Sequence, residues 1–160
     1  MFLNFSKELF KVKGEGIINI VSYGYHEGPV KNIREVFDED NTPKTEYINA
    51  CRKKEIEQLN EWISWVSPNM INWVITIVSK ADVWWEDNWD DVKKYYEEDE
   101  YGSKMSTLVN KGVKHIILPY SSIIEPFYEI KRAQGFGETL KNNFNDRFLK
   151  ELSNLLNTTK

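Results

Sequence analysis

Apolar residues recur along this chain with two different periods, and the alternation between them sets out a fold. Residues 3–13 place Leu3, Phe5, Leu9, Phe10 and Val12 among Lys7, Glu8, Lys11 and Lys13, the pattern of a short amphipathic helix that Gly14 and Gly16 end. Ile17-Ile18-Asn19-Ile20-Val21 is a β-branched run closed by Tyr23-Gly24, which predicts a strand. Residues 24–43 carry Gly, Pro, Asp and Asn in loop proportions. From about Thr45 to Trp65 the helical period returns: Tyr47, Ile48, Cys51, Ile56, Leu59, Trp62, Ile63 and Val66 mostly recur at three- and four-residue intervals, until Ser67-Pro68-Asn69 stops them.

Residues 72–78 are apolar on both faces, which places this second strand inside a sheet covered on both sides. An acidic helix is expected from Asn88 to about residue 100, broken around Gly102 and followed by a shorter helix from Ser103 to Val109. A third strand spans roughly 114–119. The last helix runs from about Glu138 to Leu156, with Leu140, Phe144, Phe148, Leu152, Leu155 and Leu156 on one face.

Strands separated by helices of adequate length imply right-handed crossovers and a parallel sheet. The expectation is therefore an α/β fold: a small three-stranded parallel sheet with helices on both faces, forming a single domain over residues 1–160. Doubly wound sheets usually have more strands than this.

Composition narrows the functional classes. A net charge of −4 provides no general attraction to nucleic acid or to an anionic membrane, and the Lys131-Arg132 pair is too small to act as a basic patch. The acidic run of Glu86, Asp87, Asp90, Asp91 and Glu97 to Glu100 reads as a solvated helix face with its loop. Cys51 is the only cysteine, and His26 and His115 lie far apart, so neither a disulfide framework nor a zinc site is expected. No stretch approaches the roughly 18 apolar residues of a membrane span, and Met1-Phe2-Leu3-Asn4-Phe5 is too short for a signal peptide's apolar core. A cytoplasmic protein without membrane or nucleic-acid partners is the expectation.

In open parallel sheets the working loops lie beyond the carboxyl ends of the strands. Here those ends are Ser22-Tyr23-Gly24, Ser79-Lys80-Ala81-Asp82 and Tyr120-Ser121-Ser122. A guanine ring presents two adjacent donors, its N1–H and its 2-amino group, and one carboxylate can accept both. Asp82 sits where such an acceptor belongs. A lysine two residues earlier can lay its aliphatic stem along the base. A loop of small residues after the next strand can offer backbone N–H groups to the 6-oxo oxygen. The plainer alternative is a helix-capping Asp82 beside an exposed Lys80. Trp84, close by, is a candidate for flanking the base, although tryptophans more often pack helix against sheet.

The segment Val78-Ser79-Lys80-Ala81-Asp82, with Ser121-Ser122 after the following strand, resembles the guanine-reading half of a P-loop GTPase domain of the Ras and translation-factor type. That family carries Asn/Thr-Lys-x-Asp after one strand and a Ser-Ala-type motif after the next. The resemblance implies that Ser79, Lys80 and Asp82 recognise guanine, that Ser121 and Ser122 close the base pocket, and that GTP or GDP binds. Ser79 departs from the family pattern, keeping a hydroxyl where Asn or Thr is usual.

The phosphate-binding motif Gly-x-x-x-x-Gly-Lys-Ser/Thr occurs nowhere in the sequence, and no Asp-x-x-Gly follows a strand. The chain is thus expected to correspond to a truncated GTPase-like domain that begins after the phosphate-binding half. Magnesium binding and GTP hydrolysis are not expected of it alone, because phosphoryl transfer rests on positioning the phosphates and the metal. Without a neighbouring phosphate-loop strand, Ile17–Val21 becomes an exposed apolar edge that needs a cover. The N-terminal helix, a second copy or a separate chain supplying the missing half would serve. The alternative function is a GTPase-derived interaction or regulatory module that binds no nucleotide.

Overall fold

Three parallel strands, β1 (Gly16–Val21), β2 (Trp73–Val78) and β3 (Lys114–Pro119), lie side by side in that order in the computed structural model, which describes residues 16–131 and 133–158. The helix expected over 3–13 lies outside the described residues. The strands are in step: Val21 is level with Val78, and Val78 with Pro119, so all three chains leave the sheet at one end.

Five α-helices accompany them among the described residues: α1 (Thr45–Trp65), α2 (Ala81–Trp84), α3 (Trp89–Glu97), α4 (Glu100–Val109) and α5 (Glu138–Thr158). Every residue of β2 is buried, as its two-sided apolar run requires. Val74 and Val78 face a core built with Ile48, Ile56 and Leu59 of α1, Val92 and Tyr96 of α3, and Tyr101, Met105 and Leu108 of α4. Trp73, Ile75 and Ile77 face the other way, onto Leu118 of β3 and Leu155, Leu152 and Phe148 of α5. The fold is therefore α/β, a three-stranded parallel sheet with helices on both faces. No helix among the described residues is long and apolar enough to cross a membrane.

On β1 the cover is incomplete among the described residues. Ile18 and Ile20 share a face with Ile75 and Ile77, yet they are 42% and 66% exposed. The far edge of β1 has no pairing strand among the described residues.

The acidic region departs from expectation in one respect. The helix breaks at Glu98-Asp99 rather than at Gly102, which lies inside α4. A Cβ at Gly102 would meet the backbone carbonyl oxygen of Glu97 at 2.0 Å. The glycine therefore permits close approach of α4 to the end of α3 instead of breaking a helix. The acidic side chains are solvated: Glu86, Asp90, Asp91, Glu97, Glu98, Asp99 and Glu100 are exposed, and Lys93 and Lys94 pair with Glu97 and Glu98 one turn on.

Candidate functional site

The loop after β2 is tied to both neighbouring strand ends. The Ser79 backbone N–H and hydroxyl both donate to the carbonyl oxygen of Val21, each at 2.7 Å. Lys80 then takes a left-handed conformation, with φ 58° and ψ 36°, which turns the chain sharply into the single turn of α2. A non-glycine residue pays on the order of 1 kcal/mol for that conformation, and such strain persists only where the surroundings hold it. Here the Ala81 N–H donates to the Tyr120 carbonyl oxygen beyond β3, and the Trp84 indole N–H donates to the Ser79 carbonyl oxygen.

This turn aims Asp82 at the loop after β3 rather than at its own helix terminus. The Ser121 hydroxyl lies 2.9 Å from Asp82 Oδ1, and the Glu125 N–H donates to Oδ2 at 3.0 Å. The Asp82 carbonyl oxygen accepts from Ala133 N–H at 2.7 Å, which fastens the loop farther along. Asp82 is only 3% exposed. A carboxylate has about four acceptor positions, so these two contacts leave one on each oxygen.

Ser79, Lys80, Asp82, Ser121 and Ser122 together line a cavity of about 300 Å³, joined by Glu27, Ile123 and Glu125. The five residues singled out in two separate stretches of sequence thus surround one space. Ser122 and Ile123 are exposed at its rim. Trp84 does not line it; it is fully buried beneath the loop, stacked on Trp89. Placing Trp84 against a base is therefore corrected: its ring is taken up in the core, where it supports the Ser79 backbone.

Glu27, Ile123 and Glu125 were not evident from sequence. Glu27 Oε1 accepts from Lys80 Nζ at 2.8 Å and from Tyr128 N–H at 3.2 Å. The ammonium also lies 5.5 Å from the Phe127 ring centroid, within cation–π reach. The position of Glu27 beyond the carboxyl end of β1 was the available clue, since that is where a sheet of this kind places working loops.

A second buried carboxylate shapes the loop that carries Glu27. Glu55, 2% exposed on α1, accepts through Oε1 from the backbone N–H groups of Ser22 and Gly24 and lies 2.7 Å from His26 Nε2. Its Oε2 accepts from the Tyr96 hydroxyl at 2.8 Å, and that hydroxyl in turn accepts from Tyr23 N–H. Burial, then the Glu55 charge, hold the Tyr96 phenol well above its ordinary pKa, so it remains a donor. Beyond this knot, Tyr128 exchanges hydrogen bonds with the Gly28 backbone, its hydroxyl accepting from the N–H and donating to the carbonyl oxygen, each at 2.8 Å. Glu55 had a sequence signal: it continues the buried stripe of Cys51 and Leu59 at four-residue spacing, where a charged residue needs partners.

No grouping of three or more acidic, histidine or cysteine side chains among the described residues could hold a metal ion. Comparison with protein-family models, curated proteins and solved structures finds no match for this chain.

Proposed function

We propose that this chain is the base-reading part of a guanine-nucleotide site, a GTPase-like domain that recognises guanine and depends on a complementary half for the phosphates. The observation carrying this reading is Asp82: a buried carboxylate, held by Ser121 and by the Glu125 N–H, lining a cavity with Lys80 and retaining one acceptor position on each oxygen. Two parallel acceptors are what the N1–H and 2-amino donors of guanine require. Lys80 offers its stem to the base, Ser121 and Ser122 close the pocket, and Ser79 holds the turn to β1. GTP or GDP would bind through the base. Magnesium and hydrolysis would come with the partner half, whose natural place is beside β1.

The test is base preference. Titration of guanosine and xanthosine, followed by the intrinsic tryptophan fluorescence of the chain, should favour guanosine for the native chain. Asp82→Asn should shift preference toward xanthosine, whose 2-oxo group accepts a hydrogen bond. An unchanged preference would sink the assignment of Asp82.

A second reading is an interaction module without nucleotide binding. It is favoured by the exposed Ile18 and Ile20, an apolar face that a second copy or another chain would cover. Failure of guanosine to bind at millimolar concentration, together with concentration-dependent self-association abolished by Ile20→Lys, would support it.

A further inference from the structure

We infer that, by itself, this cavity selects unphosphorylated guanine compounds, guanine or guanosine, and that Glu27 enforces the selection. The inference rests on the base-reading proposal above and adds the class of compound that the site accepts.

The charge around the cavity is of the wrong sign for phosphate. Among the described residues, three acidic residues line it, Glu27, Asp82 and Glu125, against the single ammonium of Lys80. That ammonium is already paired with Glu27 at 2.8 Å. A lysine free to meet a phosphate would add attraction, whereas a paired one offers little, because the anion must first compete with a carboxylate in contact with it.

The space next to the cavity compounds the effect. At about 300 Å³ the cavity lies at the small end of the roughly 300–1,000 Å³ range of ligand sites, room for a base and part of its sugar. A 5′ substituent must therefore extend outward. An adjoining space of about 460 Å³ shares Glu27 and Glu125 with the first and is lined also by Pro126, Tyr128 and Glu129, with no cationic side chain among the described residues. Another space, about 240 Å³ and lined by His26 and Lys54 among others, shares only Glu27 with the base cavity. Glu27 borders all three of these spaces, so a phosphate that enters either neighbouring one passes its carboxylate.

Glu27 is also well placed for substitution. Its side chain is 43% exposed, and Gln keeps an acceptor for the Lys80 ammonium and the Tyr128 N–H.

The experiment is calorimetric titration of the full chain with guanosine, GMP, GDP and GTP at low and high salt, without magnesium. The expected order of affinity is guanosine, GMP, GDP, GTP, with GTP about tenfold weaker than guanosine at low salt and the gap closing as salt screens the carboxylates. Glu27→Gln should narrow the gap between guanosine and GTP at least threefold, because it removes a charge and leaves Lys80 facing only a neutral acceptor. Glu125→Gln should move the gap in the same direction while sparing the backbone N–H that holds Asp82. GTP binding as tightly as guanosine would overturn the inference while leaving base recognition intact. So would a gap that neither salt nor either substitution alters. If guanosine itself does not bind, the base-reading proposal falls, and this inference with it.

Discussion

The hydroxyl of Ser121 lies 2.9 Å from Oδ1 of Asp82, a buried contact that joins the loop after β3 to the loop after β2. The same hydroxyl lies 2.6 Å from the Ile123 carbonyl oxygen. Having one proton, it serves one of these acceptors at a time. The two sequence segments that suggested a base pocket are therefore one physical unit: Ser121 orients Asp82, and Asp82 gathers the loop that carries Ser122, Ile123 and Glu125.

Ser121→Ala should separate orientation from folding. One hydrogen bond is lost, worth about 1 kcal/mol of stability. Asp82 keeps the Glu125 N–H but gains a rotational freedom it lacked. Guanosine affinity should fall about tenfold, equivalent to about 1.4 kcal/mol. A urea melt and a guanosine titration on the same variant check both numbers. A loss of stability with no loss of guanosine affinity would mean that Ser121 serves the fold alone.

Removing the Glu55 carboxylate should be the most damaging change to the strand-end loops. Glu55→Leu would leave the N–H groups of Ser22 and Gly24 and the hydroxyl of Tyr96 without their acceptor in a buried setting. The expected loss is about 3–5 kcal/mol in urea denaturation. Glu55→Gln retains one acceptor oxygen and should lose clearly less. Equal losses for the two variants would show that packing, not hydrogen bonding, is what Glu55 provides.

The sheet was legible because its signal is simple. The two-sided apolar run of Trp73 to Val78 can be little other than a central strand, and the periodicity of α1 reproduces its ends, Thr45 and Trp65. The clustering of Ser79, Lys80, Asp82, Ser121 and Ser122 followed from that topology, since parallel strands in step release their loops at one end. The rest of the cavity was not legible, because it depends on how a loop folds back. Glu27 reaches Lys80 only because Glu55 and Tyr96 gather residues 22–24 and Tyr128 clamps Gly28, partners spread across three other elements and loops. Trp84 stayed open between the pocket and the core for a related reason: nothing local to the sequence says on which side of a single helical turn an indole ring falls.

Gly102→Ala gives a test with an inverted sign. In an exposed helix interior that replacement usually stabilises by roughly 0.5–1 kcal/mol. Here the new Cβ would lie 2.0 Å from the Glu97 carbonyl oxygen and 2.2 Å from its carbon, both backbone atoms at the junction of α3 and α4. Destabilisation of about 1–3 kcal/mol is expected instead. A melting temperature at or above that of the native chain would mean that the α3–α4 junction is not packed as described.

His115 should make the fold sensitive to mild acid. It lies on β3 with Nε2 2.9 Å from the Thr76 hydroxyl, at the end of a polar line that continues through the Tyr101 hydroxyl to the Asn19 side chain on β1. Burial pushes its pKa down from 6.5 to about 4, because the charged ring loses its water. The unfolded chain therefore binds the proton more readily than the folded one between those two values. Stability contributed by the neutral ring is fully present above pH 6.5 and declines as the pH falls toward 4. From pH 7 to pH 5 the decline attributable to His115 is about 2 kcal/mol. Urea midpoints of the native chain and of His115→Gln, compared at both pH values, isolate it, since the carboxylates contribute equally to each. A pH dependence unchanged by His115→Gln would place the acid sensitivity elsewhere.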